Sequence, residues 1–91
     1  MSTATAISAT ITLNHPVKLT DGSLCSTLTM RRPTVKDMRI AQNSASTDME
    51  KELRLVGNLC GLSPDDIDRL DFSDYAALQS QLQVFISPRK P

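Results

Sequence analysis

Few residues of this 91-residue chain could do chemistry. His15 is the only histidine, Cys25 and Cys60 are the only cysteines, and aspartates gather at Asp65, Asp66, Asp68, Asp71 and Asp74. A general base needs a nucleophile or a positioned substrate proton within reach. No second histidine and no GxSxG-type turn accompanies His15. Strand alternation around His15 places it among core-facing residues, so a hydrogen-bonded structural imidazole is the simpler reading. Asp65, Asp66, Asp71 and Asp74 all fall where helices begin, and carboxylates there complement the helix dipole. Asp68 alone lies deeper, one residue before Arg69. A calcium loop would need alternating oxygen ligands around a glycine, a pattern the chain lacks. The cysteines lack metal-ligand spacing. One long-range disulfide can be drawn between them, but two buried thiols fit a reducing compartment better. Gly22, Gly57 and Gly61 form no phosphate-cradling loop. The expectation is no enzyme, no metal and no cofactor.

Composition narrows the remaining classes. Ten Lys and Arg balance ten Asp and Glu, so the basic footprint of a nucleic-acid binder is missing. No apolar run approaches the roughly 20 residues of a membrane span. Residues 1–6 lack the basic start and apolar centre of a signal peptide and read as a flexible leader of small residues. A chain of this length forms one domain, expected over 7–87, and buries roughly 65% of the surface its unfolded form exposes. Residues 88–91 read as a polar tail.

The elements that must position any site follow from hydrophobic periodicity. Ile7, Ala9, Ile11, Leu13, Val17 and Leu19 alternate with polar residues, the period of a half-buried strand. Pro16 has no amide to donate and implies a bend or an edge there. Asp21-Gly22 signals a two-residue hairpin turn, with the second strand running from Leu24 to about Arg32. That turn sets Leu19 against Leu24, Val17 against Ser26, His15 against Leu28 and Leu13 against Met30. Leu13, Leu19, Leu24, Leu28 and Met30 then share one buried face. A lone hairpin is marginal in water, so the following helices must cover that face.

Pro33 ends the hairpin, and Thr34-Val35-Lys36-Asp37 resembles a capping box for a short helix to about Gln42. Val35, Met38 and Ala41 share a face of it. Thr47-Asp48-Met49-Glu50 opens a second helix with the stripe Met49, Leu53, Val56, Leu59 and Cys60. Gly61 ends it, and Leu62 can pack back on the last turn. Ser63-Pro64-Asp65-Asp66 starts a third helix to Leu70. Asp71-Phe72-Ser73-Asp74 caps a last one, whose stripe Phe72, Tyr75, Leu78, Leu82, Phe85 and Ile86 spans about 140° at 100° per residue. The fold class is α+β, an N-terminal β-hairpin followed by a small bundle of three to four helices. Arg31 and Arg32, at the strand end, read either as charges that discourage edge pairing or as ion-pair contacts to a partner. Val84 lies off the aromatic stripe and Leu55 at the margin of its own. Leftover apolar surface of this kind marks a protein-binding or self-association face.

The order of these motifs resembles a known family. Ile11 to Gly22, then Leu28-Thr-Met-Arg-Arg-Pro-Thr-Val-Lys-Asp37, is similar to the start of the phage tail assembly chaperones of Mu-like and related contractile-tailed phages. Leu59-Cys-Gly-Leu-Ser-Pro-Asp-Asp-Ile-Asp-Arg-Leu70, Asp74-Tyr75 and Phe85 resemble the second half, so the likeness runs from about Ile11 to Ile86. It implies a cytoplasmic protein of the bacterial host that escorts the tape measure protein, helps recruit tail tube subunits and is absent from the finished tail. Arg31, Arg32, Leu55, Val84 and Phe85 are the expected partner contacts, chosen from their positions and not carried over from the family. The free hairpin edge and spare apolar surface add an expected homo-oligomer. The alternative is a small phage DNA-binding regulator using the helices around Gly61 as a helix-turn-helix. Asp65, Asp66, Asp68 and Asp71 on and beside the would-be recognition helix speak against it.

Overall fold

Strand β1 spans Ser8–Lys18 and strand β2 spans Leu24–Arg31, paired antiparallel as the only sheet among the described residues. This is a computed structural model describing residues 8–87. The leader at 1–6, Ile7 and the tail at 88–91 lie outside the described residues. Four helices follow: α1 Val35–Ser44, α2 Asp48–Cys60, α3 Pro64–Arg69 and α4 Phe72–Ile86. The expected α+β order of a hairpin and four uneven helices is present.

Local capping chemistry sets the helix starts. Thr34 and Asp37 close a complete capping box at α1, each side chain accepting the other's backbone amide. The side chains of Thr47, Ser63 and Asp71 accept from Glu50, Asp66 and Ser73 amides at α2, α3 and α4. Gly61 takes the left-handed conformation at φ 72°, and its amide donates to the Gly57 carbonyl. Leu62 donates to the same carbonyl at 2.8 Å and is buried beside the end of α2.

The hairpin departs from the expected register. The turn is wider than two residues: Leu19 N donates to Ser23 O at 2.8 Å, and Gly22, at φ 91°, closes the loop inside. Near the turn Val17 pairs with Cys25 and Lys18 with Leu24; further on Thr12 pairs with Thr27, Ile11 with Leu28 and Ala9 with Met30. Leu13, Asn14, His15 and Pro16 therefore lie opposite Ser26 alone, a wide bulge in β1. Pro16 cannot donate to a ladder, which makes this the natural place for pairing to break.

The bulge changes which β2 residues point inward. Leu28 and Met30 are buried and Thr27 and Thr29 exposed, as alternation predicts. Across Ser26 the parity reverses, so Cys25 turns toward the core and Leu24 is 72% exposed. Leu24 thus leaves the face assigned to it, while Leu13 stays buried and Leu19 is half-buried. His15 is not a core histidine. Inside the bulge its side chain is exposed, with Nε2 3.9 Å from the Asp71 carboxylate.

A buried carboxylate holds the bulge. Asp74 is 2% exposed, and its two oxygens accept the Asn14 and His15 amides at 2.9 Å each. Asp74 is therefore more than a charge at a helix start. Asp66 of α3 accepts the Thr20 amide at 2.9 Å. Asp37 of α1 accepts from the two terminal nitrogens of the Arg31 guanidinium at 2.7 and 2.6 Å. An aspartate from each of three helices thus ties the hairpin to the helical layer.

Between hairpin and helices lies one core: Leu13, Leu28 and Met30 from the sheet, Val56 and Leu59 from α2, Leu62, Ile67 of α3, and Tyr75, Leu78, Leu82 and Phe85 from α4. Both ends of the last stripe, Phe72 and Ile86, are exposed, as are Met49 at the start of α2 and Val35 and Met38 of α1. Only Asp37 and Ala41 of α1 are buried. Tyr75 donates its hydroxyl to Glu52 of α2 at 2.8 Å, and Gln79 donates to the same oxygen at 2.7 Å, joining α2 to α4.

Asp74→Ala is expected to lower the unfolding free energy by roughly 2–4 kcal/mol, from two charge-assisted bonds of about 1.5–3 kcal/mol each that are not fully additive. Asp74→Asn keeps one carbonyl acceptor and should lose less. Urea unfolding measures both, and an alanine variant as stable as the parent would show that the bulge holds itself.

The pH dependence follows from the other two aspartates. The Arg31 guanidinium holds the Asp37 carboxyl far below the usual carboxylate range, helped by the Thr34 amide and hydroxyl and opposed by burial. The Thr20 amide lowers Asp66 in the same sense. Both folded values are depressed, so their stabilisation is present above the unfolded value of about 3.9 and is lost as pH falls through the folded values. Arg31→Gln removes the larger cause at Asp37, so its acid-unfolding midpoint should move to higher pH in a circular dichroism titration. An unmoved midpoint would refute the assignment.

Candidate partner-binding groove

Three helices build a groove of about 280 Å³, each contributing residues one turn apart. Ile40 and Ser44 come from α1, Leu53, Gly57 and Asn58 from α2, and Pro64 and Ile67 from α3, with Leu62 between them. Leu62, Ile67 and Gly57 are buried and form the floor, Leu53 is half-buried, and Ile40 is exposed at the lip. Gly57 makes this approach of α2 and α3 possible. A Cβ there would lie 3.0 Å from the Leu62 carbonyl oxygen and 3.2 Å from an Ile67 side-chain carbon. Glu50, Arg54 and Asp68 supply the charged rim.

An apolar floor under a charged rim is the arrangement of a site that takes up apolar side chains. Two titratable groups outside the groove are shifted by burial. Burial pushes the Cys60 thiol up to about 11, so it is protonated and inert at neutral pH. Burial and the Glu52 hydrogen bond push the Tyr75 hydroxyl well above its ordinary range. Both cysteines are free thiols.

None of the expected contact residues lines this groove, and two of them, Arg32 and Phe85, meet each other. Val84, on α4, is 69% exposed, as its helical phase predicts. Leu55 is half-buried against the core. Phe85 is 6% exposed, and the Arg32 guanidinium lies over its ring, 5.4 Å from the centroid. Arg32 therefore covers a core aromatic by a cation–π contact. Arg31 is engaged within the chain by Asp37, and its bidentate pair serves the fold. The two arginines are partnered internally.

None of the groove residues was among the expected contacts, because the groove needs the relative placement of three helices. One signal was present. Gly57 sits four residues after Leu53, where continuation of the apolar row calls for a side chain, and a glycine inside a helix usually reflects close packing. On α3, Asp65 and Asp68 are exposed, leaving the would-be recognition helix acidic outward. No helix is long and apolar enough to cross a membrane among the described residues.

No curated protein and no solved structure matched the chain. Residues 10–87 match the family model described as phage tail assembly chaperone proteins, E, or 41 or 14. The match runs from the third residue of β1 through the end of α4, nearly the whole hairpin-and-helix unit and all of the groove. The chain belongs to the phage tail assembly chaperone family.

Proposed function

We propose that this chaperone binds the tape measure protein in the cytoplasm of the bacterial host, keeps its apolar helical segments soluble, and assists tail tube assembly without remaining in the finished tail. Membership in the family over residues 10–87 carries the reading. The groove between α1, α2 and α3 and the exposed Val84 support it physically. An amphipathic helix lays apolar side chains into such a groove in a recurrent mode of peptide recognition. The role is non-enzymatic: the chain covers apolar surface and changes no bond. A DNA-binding role is disfavoured by the acids on α3.

Because the chain carries no net charge, steering at long range is weak and apolar contact dominates. Binding should survive moderate salt, in contrast to nucleic-acid binding. Co-expression with the cognate tape measure protein is expected to raise its soluble fraction and to yield a co-purifying complex. Val84→Asp should weaken the complex while leaving thermal unfolding within a few degrees of the parent, since Val84 is outside the core. Equal solubility with and without the chaperone, and no co-purification, would refute the reading.

Self-association belongs to the same proposal. The sheet has two strands and hence free edges, and Leu24, Phe72 and Ile86 remain exposed. Multi-angle light scattering at high micromolar concentration is expected to report dimers or larger assemblies. A strict monomer would remove this part and leave client binding untouched.

A further inference from the structure

We infer that the groove selects a client helix that carries basic residues beside its apolar stripe. This rests on the chaperone reading and adds the chemistry of the segment recognised. The floor of Leu53, Gly57, Leu62 and Ile67 is apolar and uncharged. Its volume of about 280 Å³ is roughly twice that of a cavity that takes up benzene, about 150 Å³. It therefore accommodates large apolar side chains projected one turn apart from a single helix face.

The rim determines what must flank those side chains. Glu50 lies on the α2 wall and Asp68 on the α3 wall. Among the described residues the ion pairs are His15 with Asp71 and Arg31 with Asp37, so both rim acids are unpaired. Arg54 is the single rim cation, one turn beyond Glu50 on the same wall, and leaves two acids against one base. A helix seated between the walls meets Glu50 on one side and Asp68 on the other. Lysine or arginine gains an attraction from Asp68 on the α3 wall and from Glu50 on the α2 wall, the latter partly offset by Arg54, and glutamate is repelled by Asp68 with no rim cation on that wall to offset it. Neutral net charge keeps this selection local, so it acts on register and partner choice and not on distant capture.

The test uses two designed amphipathic peptides with one shared apolar stripe, one flanked by Lys and the other by Glu, binding the full-length chaperone in fluorescence anisotropy. The Lys peptide is expected to bind at least tenfold tighter at low salt, with the gap narrowing as salt screens the rim. The double variant Glu50→Lys, Asp68→Lys changes only exposed side chains and should reverse the order. Ser44→Phe, at the groove lip, should weaken both peptides, with circular dichroism confirming that each variant is folded. Equal affinity for the two peptides, or a preference the double variant leaves unchanged, overturns the inference. If the chaperone still solubilises the tape measure protein in that case, the chaperone reading stands without it.

Discussion

The carboxylate of Asp74 is the contact on which the rest of the arrangement depends. It accepts two consecutive amides of β1 from a residue about sixty positions away. Those amides belong to the bulge, where Pro16 has already removed one donor from the ladder. An unpartnered buried amide is costly, so a bulge here needs an acceptor from outside the sheet. Asp74 supplies it from the first turn of α4, where free amides and the helix dipole offset the cost of burying charge. The same contact orients α4, because Asp74, Leu78 and Leu82 recur every four residues and face inward together. Once that row is docked, Tyr75 reaches Glu52 and ties α2 to the sheet through α4.

The legible part of this fold is its local chemistry. Caps at Thr34, Thr47, Ser63 and Asp71 and the stop at Gly61 depend on residues within four positions of each other, and all act where their types indicate. The illegible part is long-range. The bulge takes three residues out of register, and nothing between Ile11 and Met30 announces the acceptor that makes it possible. Hence Leu24 and His15 go to the surface although simple alternation puts both inside. A clue to the bulge lies in α4, where Asp74 falls on the buried row and not on the outer face.

The candidate site was less legible than the fold for the same reason. Arg31 and Arg32 are exposed, as arginines at a strand end are by type, and in addition Arg31 pairs with a buried carboxylate and Arg32 lies over a buried ring. Each partner lies on an element that sequence pattern alone cannot orient. The groove likewise arises only when α3 closes on Gly57, a contact between helices that share no periodic pattern. Val84 was readable because a single helix's phase is enough to place it.

Three helix-borne aspartates holding one hairpin also bear on how a small domain can leave apolar residues outside. Among the described residues twelve hydrophobic side chains form the core, and eight large ones remain exposed. A domain of this size buries a smaller share of its surface than a larger one, so apolar burial alone gives it less to hold the hairpin with. Here directional bonds take part of that role: Asp37, Asp66 and Asp74 fix the position of the hairpin without consuming apolar area. Val35 and Met38 of α1, Ile40 at the groove lip and Val84 of α4 are thereby left available to a partner. For a protein whose proposed task is to cover another chain's apolar helices, anchoring the fold with buried carboxylates separates what holds the domain together from what it offers to its client.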